Sequence, residues 1–287
     1  MRLTEDLLAW GEEHRRDLPW RRTRDPWAIL VSELMLQQTQ VVRVEPRYHA
    51  FLDRFPTPDA CAAASVGDVI EAWAGLGYNR RAVNLHRCAQ VLVTEHHGAL
   101  PTDLDRLLAL PGIGPYTARA VLVFAFERDR GVLDTNAARF LARAVSGRPL
   151  RRPEAQALAD EVVPPGRAWE WNQAVLDLGA TVCTKRAPRC DTCPIAPHCA
   201  WGAGAARGPD PAEGSAGTSR RQSTFDGSDR QGRGRLIDAL RTGALPLESA
   251  PAAAGWLDQP ERVQRVVAEL VHDGLAEVVD GMLVLPS

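Results

Sequence analysis

Lysine is almost absent from this chain of 287 residues. Lys185 is the only one, and nearly all the positive charge rests on arginine. A mechanism that needs a Schiff-base lysine anywhere else is therefore excluded. Long apolar runs are also missing: none reaches the roughly 20 residues of a membrane span. The N-terminal MRLTEDLLAWGEEH carries acidic residues and no signal-peptide core. A cytosolic protein with no membrane partner is expected. Excess positive charge is lacking too, with a formal net charge of -2. The chain is thus not a basic nucleic-acid binder by composition, but a local basic face is still open to it. Arg80, Arg81, Arg148, Arg151 and Arg152 are candidates for such a face. A solvated surface is the plainer reading of the same arginines.

What is present is more specific. Cys183, Cys190, Cys193 and Cys199 are spaced C-x6-C-x2-C-x5-C within one Pro-containing stretch. In a reducing compartment such a group is more often a metal site than a set of disulfides. Four thiolates match a [4Fe-4S] cluster, one ligand per iron. Zinc also accepts four sulfurs, but its structural sites usually come as two short-spaced pairs, and only Cys190 and Cys193 are close here. The remaining cysteines, Cys61 and Cys88, lie far off on apparent helices.

Residues 1–202 read as mostly helical, with no run of alternating strands. Apolar residues recur at helical spacing around Leu30, Leu34 and Val41, over Val83 to Val93 and over Ala118 to Phe126. Residues 203–231 are rich in small and polar types and are expected as a flexible linker. Residues 232–287 recover order: a helix in GRGRLIDALRTG, a second in PERVQRVVAELVHDG capped by Gly274, then a hairpin around Asp280-Gly281. Helix, helix and hairpin suggest a small winged-helix-like module, which either grips DNA or a partner or simply packs on the rest.

Three segments carry candidate chemistry. LPGIGPYTA, residues 110–118, is a glycine-rich turn between helices, with Leu110, Gly112 and Gly114 placed to let backbone approach a phosphate. An ordinary interhelical turn would look the same. Asp134 opens an apparent helix in VLDTNAARFLAR. There it is either a plain N-cap or a carboxylate that steadies an oxocarbenium-like sugar. Glu33 sits among Ile29, Leu30, Leu34 and Leu36. It lies either on an exposed stripe or in the interior, where burial raises a carboxyl pKa and makes a general acid. The amides of Gln37, Gln38 and Gln40 beside Thr39 could meet base edges, or form a solvated helix end.

Taken together, LPW (18–20), SELMLQQTQV (32–41), GLGY (75–78), NLH (84–86), LPGIGPYTA (110–118), LDTN (133–136) and the four cysteines resemble the MutY-type adenine DNA glycosylases of the helix-hairpin-helix superfamily. The resemblance implies a mainly α, two-lobed glycosylase fold over 1–202, with a [4Fe-4S] cluster loop. One lobe would be a six-helix barrel over about 23–130 and the other would join 1–22 to 131–202, with a cleft between them. It implies a flipped-out adenine from a mispair in double-stranded DNA, Glu33 as the acid that protonates the adenine ring, and Asp134 facing the sugar cation. Separately, with no sign of oligomerisation in the sequence, a monomer is expected. Asn136 would orient that region. Gln38, Thr39, Leu76 and Tyr78 would wedge into the stack and contact the lesion strand. Tyr116 stands where related glycosylase/lyases carry their Schiff-base lysine.

Two departures stand out. Thr135 occupies the place of a glycine usual in the family, and no Nudix-like C-terminal domain is found in 232–287. Two rivals also stand: a thymine or uracil mismatch glycosylase, which would not need Glu33, and a non-enzymatic iron-sulfur DNA-binding protein, which would need neither carboxylate. With no lysine in the hairpin, base removal is expected to leave an intact strand with an abasic site. Gel analysis without alkali tests this, and strand scission by the protein alone would contradict it.

Overall fold

The computed structural model describes residues 2–202, 208–216 and 224–287. It is mainly helical. The first helices are α1 (Arg2–His14), α2 (Pro26–Leu36), α3 (Val41–Arg54), α4 (Pro58–Ala63), α5 (Val66–Ala72) and α6 (Arg80–His96). Next come α7 (Leu104–Ala109), α8 (Pro115–Phe124), α9 (Thr135–Phe140), α10 (Arg152–Glu161) and α11 (Ala168–Thr181). The C-terminal part adds α12 (Asp229–Leu240), β1 (Leu245–Pro246), α13 (Ala250–Ala254), α14 (Pro260–His272), β2 (Glu277–Val279) and β3 (Met282–Val284). Among the described residues no strand precedes β1, and no helix is long and apolar enough to cross a membrane.

Two compact units share the chain, and each is assembled from several segments. The first comprises Met1–Ile29, Thr102–Leu108 and Ile113–Arg221; the second comprises Leu30–Pro101, Ala109–Gly112 and Gln222–Ser287. The cut differs from the one expected from sequence, because α8 groups with the first unit and the C-terminal module with the second.

In the first unit α11 packs against both α1 and α9. Leu7, Phe140 and Leu178 are fully buried there, and Phe140 meets Trp171 edge-on at 6.0 Å between ring centres. Burying each such side chain contributes roughly 1.5–3 kcal/mol. Charge is buried in the same place. Asp177 on α11 has a side chain only 1% exposed and pairs with Arg21 at 2.6 Å and with Arg16 at 2.6 Å. Burial alone would push this carboxyl up, but the bonds and charges of Arg21 and Arg16 outweigh burial and hold it below the ordinary range.

The stretch expected as a solvated linker is in part packed. Asp210 pairs with Arg143 at 2.5 Å, Ser215 is 4% exposed, and the amide of Leu150 donates to the Ser215 hydroxyl at 2.9 Å. Small residues can bury well when a single ion pair and a few backbone bonds fix them, and composition does not display that.

In the second unit α6 packs on α4 and α5, with Phe51, Trp73, Leu85 and Leu92 in the core. Local sequence sets the helix starts: Thr57 caps α4, and Ser65 with Asp68 forms a capping box on α5. The C-terminal module has the order helix, strand, helix, helix, two strands, and its sheet runs β1-β3-β2 with antiparallel pairs. That is a winged-helix-like arrangement. Asp280 and Gly281, at φ 50° and 75°, turn β2 into β3, as the Asp-Gly pair predicts. The first helix of the module begins at Asp229, earlier than its apolar residues suggest, because the Ser228 hydroxyl accepts the amide of Gln231.

Asp177→Asn is expected to lower stability by about 3–5 kcal/mol at neutral pH, since it leaves a buried guanidinium without its counter-charge. The native carboxyl has a depressed pKa, so its contribution is complete above the unfolded value of about 3.9 and is lost as pH falls through the folded one. Urea unfolding of both proteins across this range should show the gap closing on acidification. A gap that stays constant would contradict the ion-pair account.

Candidate active site

Asp134 ends the segment that leads into α9. Gly131, the second residue before Leu133, donates its amide to Asp160 at 2.8 Å, and the amide of Val132 donates to Asn172 Oδ1 at 2.7 Å. These bonds hold the approach to the helix. Asp134 Oδ1 accepts the backbone amides of Asn136 at 2.8 Å and Ala137 at 2.7 Å, so the residue is a true N-cap. Its other oxygen, Oδ2, accepts Asn136 Nδ2 at 2.8 Å. Burial pushes the Asp134 carboxyl up from its usual range, and the three hydrogen bonds and the nearby Arg139 only partly offset that.

Asn136 is itself held. Its Oδ1 accepts Arg139 Nη2 at 2.8 Å, and the same guanidinium donates to the carbonyls of Gly179 at 2.6 Å and Cys183 at 2.7 Å. Gly179 on α11 lies so close that a Cβ there would stand 2.6 Å from Asn136 Cβ. Only glycine allows this approach. A chain of contacts therefore runs from Asp134 through Asn136 and Arg139 to the backbone of the first clustered cysteine. Thr135 takes the first position of α9 and is not among the residues of positive φ, so the threonine introduces no backbone strain.

The cysteines themselves line one cavity, together with Leu178, Ile195 and Trp201. Cys183 Sγ accepts Arg143 Nη1 at 3.4 Å, and Cys199 Sγ accepts the amide of Gly202 at 3.4 Å. Both sulfurs thus receive N–H donors, as thiolate ligands do. Arg143, its side chain 2% exposed, also binds Asp210 and the carbonyls of Thr184 and Lys185. It sits in a one-turn π-helix, Leu141–Ser146, which continues α9. Among the described residues no three His, Cys, Asp or Glu side chains form a ready ligand group for one metal ion.

Tyr116, near the start of α8, lines a cavity of about 320 Å³ with Leu104, Leu108, Arg119, Leu133 and Arg152. The neighbour of Asp134 and the hairpin tyrosine therefore share one space.

The second unit holds the other expected residues. Glu33 is 5% exposed within α2, between Ser32 and Leu34 that are also buried. Glu33 thus lies in the interior and not on an exposed stripe. Beyond α2 the backbone turns, with Gln38 at φ 54°. A second turn carries Tyr78 at φ 46°, and the residue is 43% exposed. Arg81 ties the two turns together. It donates to the carbonyls of Leu34, Met35 and Gln37, to those of Leu76 and Gly77, and to the Thr39 hydroxyl. Thr39 Oγ1 also donates to Leu76 O at 3.3 Å.

Arg81 was a candidate for an exposed basic face, but it is 8% exposed and spent on these acceptors. Burial lowers its pKa to about 10, which leaves it charged at neutral pH. Leu76, expected at the DNA, is 2% exposed, so its backbone rather than its side chain faces the turn contacts. Arg80, Arg148, Arg151 and Arg152 are exposed. In the hairpin Leu110 is buried, whereas Gly112, at φ 76°, is exposed and lies against Asn84 so tightly that a Cβ would come within 2.6 Å.

Comparison with known proteins bears on this assembly. Residues 31–165 match a family described as HhH-GPD superfamily base excision DNA repair protein. An adenine DNA glycosylase of Mycolicibacterium smegmatis is 45% identical over 286 residues, covering 98% of this chain and 94% of its own. The chain belongs to the adenine DNA glycosylase family. A second member, from Mycobacterium tuberculosis, is 44% identical over 292 residues, covering 98% of this chain and 93% of its own. The solved structure of a thermostable thymine-DNA glycosylase is 28% identical with a TM-score of 0.64, covering 68% of this chain and 93% of that one.

For an adenine DNA glycosylase the division of residues is informative. Glu33, Gln38, Thr39, Leu76, Tyr78, Tyr116, Asp134 and Asn136 all fall inside the matched 31–165, while the four clustered cysteines, Cys183, Cys190, Cys193 and Cys199, fall outside it and inside the longer alignments. The sequence pattern places Arg81 on an exposed face and gives no role to Arg139 and Arg143. For Arg139 and Arg143 the signal is two arginines four residues apart in an apolar stretch, flanked by Ala137, Ala138, Phe140 and Leu141.

Arg81→Lys tests the tie between the turns. An ammonium has no planar fork and cannot span both sets of carbonyls. Hydrogen exchange at residues 37–40 and 75–79 is expected to quicken by roughly tenfold or more, with the middle of α6 still protected. Unchanged exchange in both turns would contradict the role given to Arg81.

Proposed function

We propose that this protein is a monofunctional adenine DNA glycosylase that hydrolyses the N-glycosidic bond of adenine mispaired with 8-oxoguanine or guanine in duplex DNA, acting as a monomer in the cytoplasm. The observation that carries this reading is Asp134. Its carboxylate is fixed by two backbone amides and by Asn136, in a chain that belongs to the family.

Adenine is a poor leaving group until it is protonated. Glu33, buried in α2, is the acid that gives its proton to the ring. The bond from the sugar carbon to the base nitrogen then breaks, and the electron pair leaves with the base. Positive charge develops on the sugar, and the Asp134 carboxylate stabilises it. Water adds to the sugar carbon and gives up a proton, which restores the Glu33 acid and leaves an abasic site. General acid catalysis of this kind contributes about 10²–10⁴ in rate. Tyr116, in place of a lysine, supplies no amine for strand cleavage. Gln38, Thr39 and Tyr78, on the two turns tied by Arg81, are the residues assigned to open the stack. The Leu110–Gly114 backbone is assigned to phosphate.

A [4Fe-4S] cluster fits the cysteine loop. Four thiols surround one cavity rather than one point, and N–H donors reach two of the sulfurs. When bound, the cluster supplies a structural cross-link, because four thiolates leave no iron open. Cys183, Cys190, Cys193 and Cys199 would hold it, and Arg143 and Arg139 would fix the loop to α9 and α11.

The likeness to a thymine-DNA glycosylase structure at 28% identity keeps a thymine or uracil mismatch enzyme as the second reading. One panel of labelled duplexes separates the two, with adenine opposite 8-oxoguanine, adenine opposite guanine, and thymine or uracil opposite guanine. Release of adenine is the expected result, and release of thymine or uracil alone would overturn the proposal. The pH profile adds a second check. The raised pKa of Asp134 places the acid limb of excision above the ordinary carboxylate value of about 3.9. Activity should fall as pH drops through that limb, and full activity down to an ordinary carboxylate pKa would contradict the assignment.

A further inference from the structure

The turn that carries Tyr78 is also held from its other side. The C-terminal module belongs to the same compact unit as this turn. Arg241, the residue that ends α12, donates Nη2 to Asn79 Oδ1 at 3.0 Å and to the carbonyl of Ile70 at 3.0 Å. Asp238, one turn back, orients the same guanidinium at 2.5 Å. Arg80, beside Asn79, pairs with Asp273 at the end of α14 at 3.2 Å. Arg230 in α12 brings Nη1 to 3.5 Å from the Tyr78 hydroxyl. At the far end of the module, Pro286 O accepts the amide of Gly67 at 2.8 Å. The Arg241 side chain is 12% exposed, so its bonds to Asn79 and Ile70 are largely shielded from water and salt.

We propose that the C-terminal module is a support for the Gly75–Asn79 turn, and that Arg241 is a positioning residue for base extrusion. It acts through Asn79 and does not touch the reacting atoms. Tyr78 is a non-glycine residue in left-handed backbone, a conformation that persists only where its surroundings hold it. Arg81 holds the inner side of the turn and Arg241 the outer side. The module thus contributes by stiffening the wedge. This inference rests on the proposed role of the turn in opening the DNA stack.

The test uses the full chain, with Arg241→Ala, Asn79→Ala and the double variant. Single-turnover adenine excision is measured on two duplexes carrying adenine opposite 8-oxoguanine. One has matched flanks, and the other has mismatches on both sides, so that the adenine is already loosened from the stack. Loss of positioning is expected to slow excision on the order of tenfold or more in the matched duplex, and far less in the loosened one. Asn79→Ala should show the same selectivity without altering the module, which covers the case of Arg241→Ala failing to fold. The double variant should be no slower than Arg241→Ala alone, because both changes break one contact. Equal losses on both duplexes, additive losses, or no loss at all would overturn the proposal. If the native protein released no adenine from either duplex, the functional reading beneath it would fail instead, which is a distinct result.

Discussion

A guanidinium taken out of water must find acceptors for its N–H groups, and both candidate catalytic regions are built around that requirement. Arg81 gathers the carbonyls of two turns in the second unit. Arg139 and Arg143, one helical turn apart, do the same in the first, for α9, α11 and the cysteine loop. Arg21 answers Asp177 in the same way. A lysine would not serve in place of Arg81, Arg139 or Arg143, since one ammonium cannot reach several fixed carbonyls in a plane. The scarcity of lysine, which first excludes a Schiff base, also fits a fold whose internal cations are forked and rigid.

Asp134 gains its character from that frame. As an N-cap it would be worth about 1 kcal/mol and nothing more. Here Asn136 takes up the second oxygen, Arg139 fixes Asn136, and burial raises the pKa. The residue is therefore a capping group and a carboxyl with both oxygens held in place. Keeping a carboxylate ionised where the surroundings disfavour it is costly, and it is useful chiefly when positive charge arrives, as it does when a glycosidic bond breaks. The same frame joins the cysteine loop to α9 through the backbone of Cys183, so order in that loop bears on the placement of Asp134.

Much of this was legible in the sequence where the signal is local. The cysteine spacing, the glycine-rich hairpin, the Asp280-Gly281 turn and the start of α9 at Asp134 depend on neighbours a few residues apart. Tertiary partners were not legible. Arg81 reads as half of an exposed pair with Arg80, yet it is interior, because its acceptors come from residues 34–39 and 76–78. Leu76 reads as a wedge and is packed. Asp210 lies in a stretch of small residues whose composition predicts a solvated linker, and only its pairing with Arg143 reveals the packing. Between the module and residues 30–101 run bonds of Arg241, Arg80 and the Pro286 carbonyl, contacts without a motif.

The central claim is that Asp134 supplies a charge, beyond its service as a helix cap, and Asp134→Asn removes that charge together with the bond from Asn136 Nδ2. Asparagine caps helices as well as aspartate does, so the start of α9 is preserved while the negative charge is removed. Affinity for a duplex with adenine opposite 8-oxoguanine and the single-turnover rate of adenine release would be measured on the same preparation. The account predicts nearly unchanged binding with excision reduced by roughly 10² or more. Near-native excision by this variant would show that Asp134 is only a cap, and the mechanism built on it would have to be abandoned.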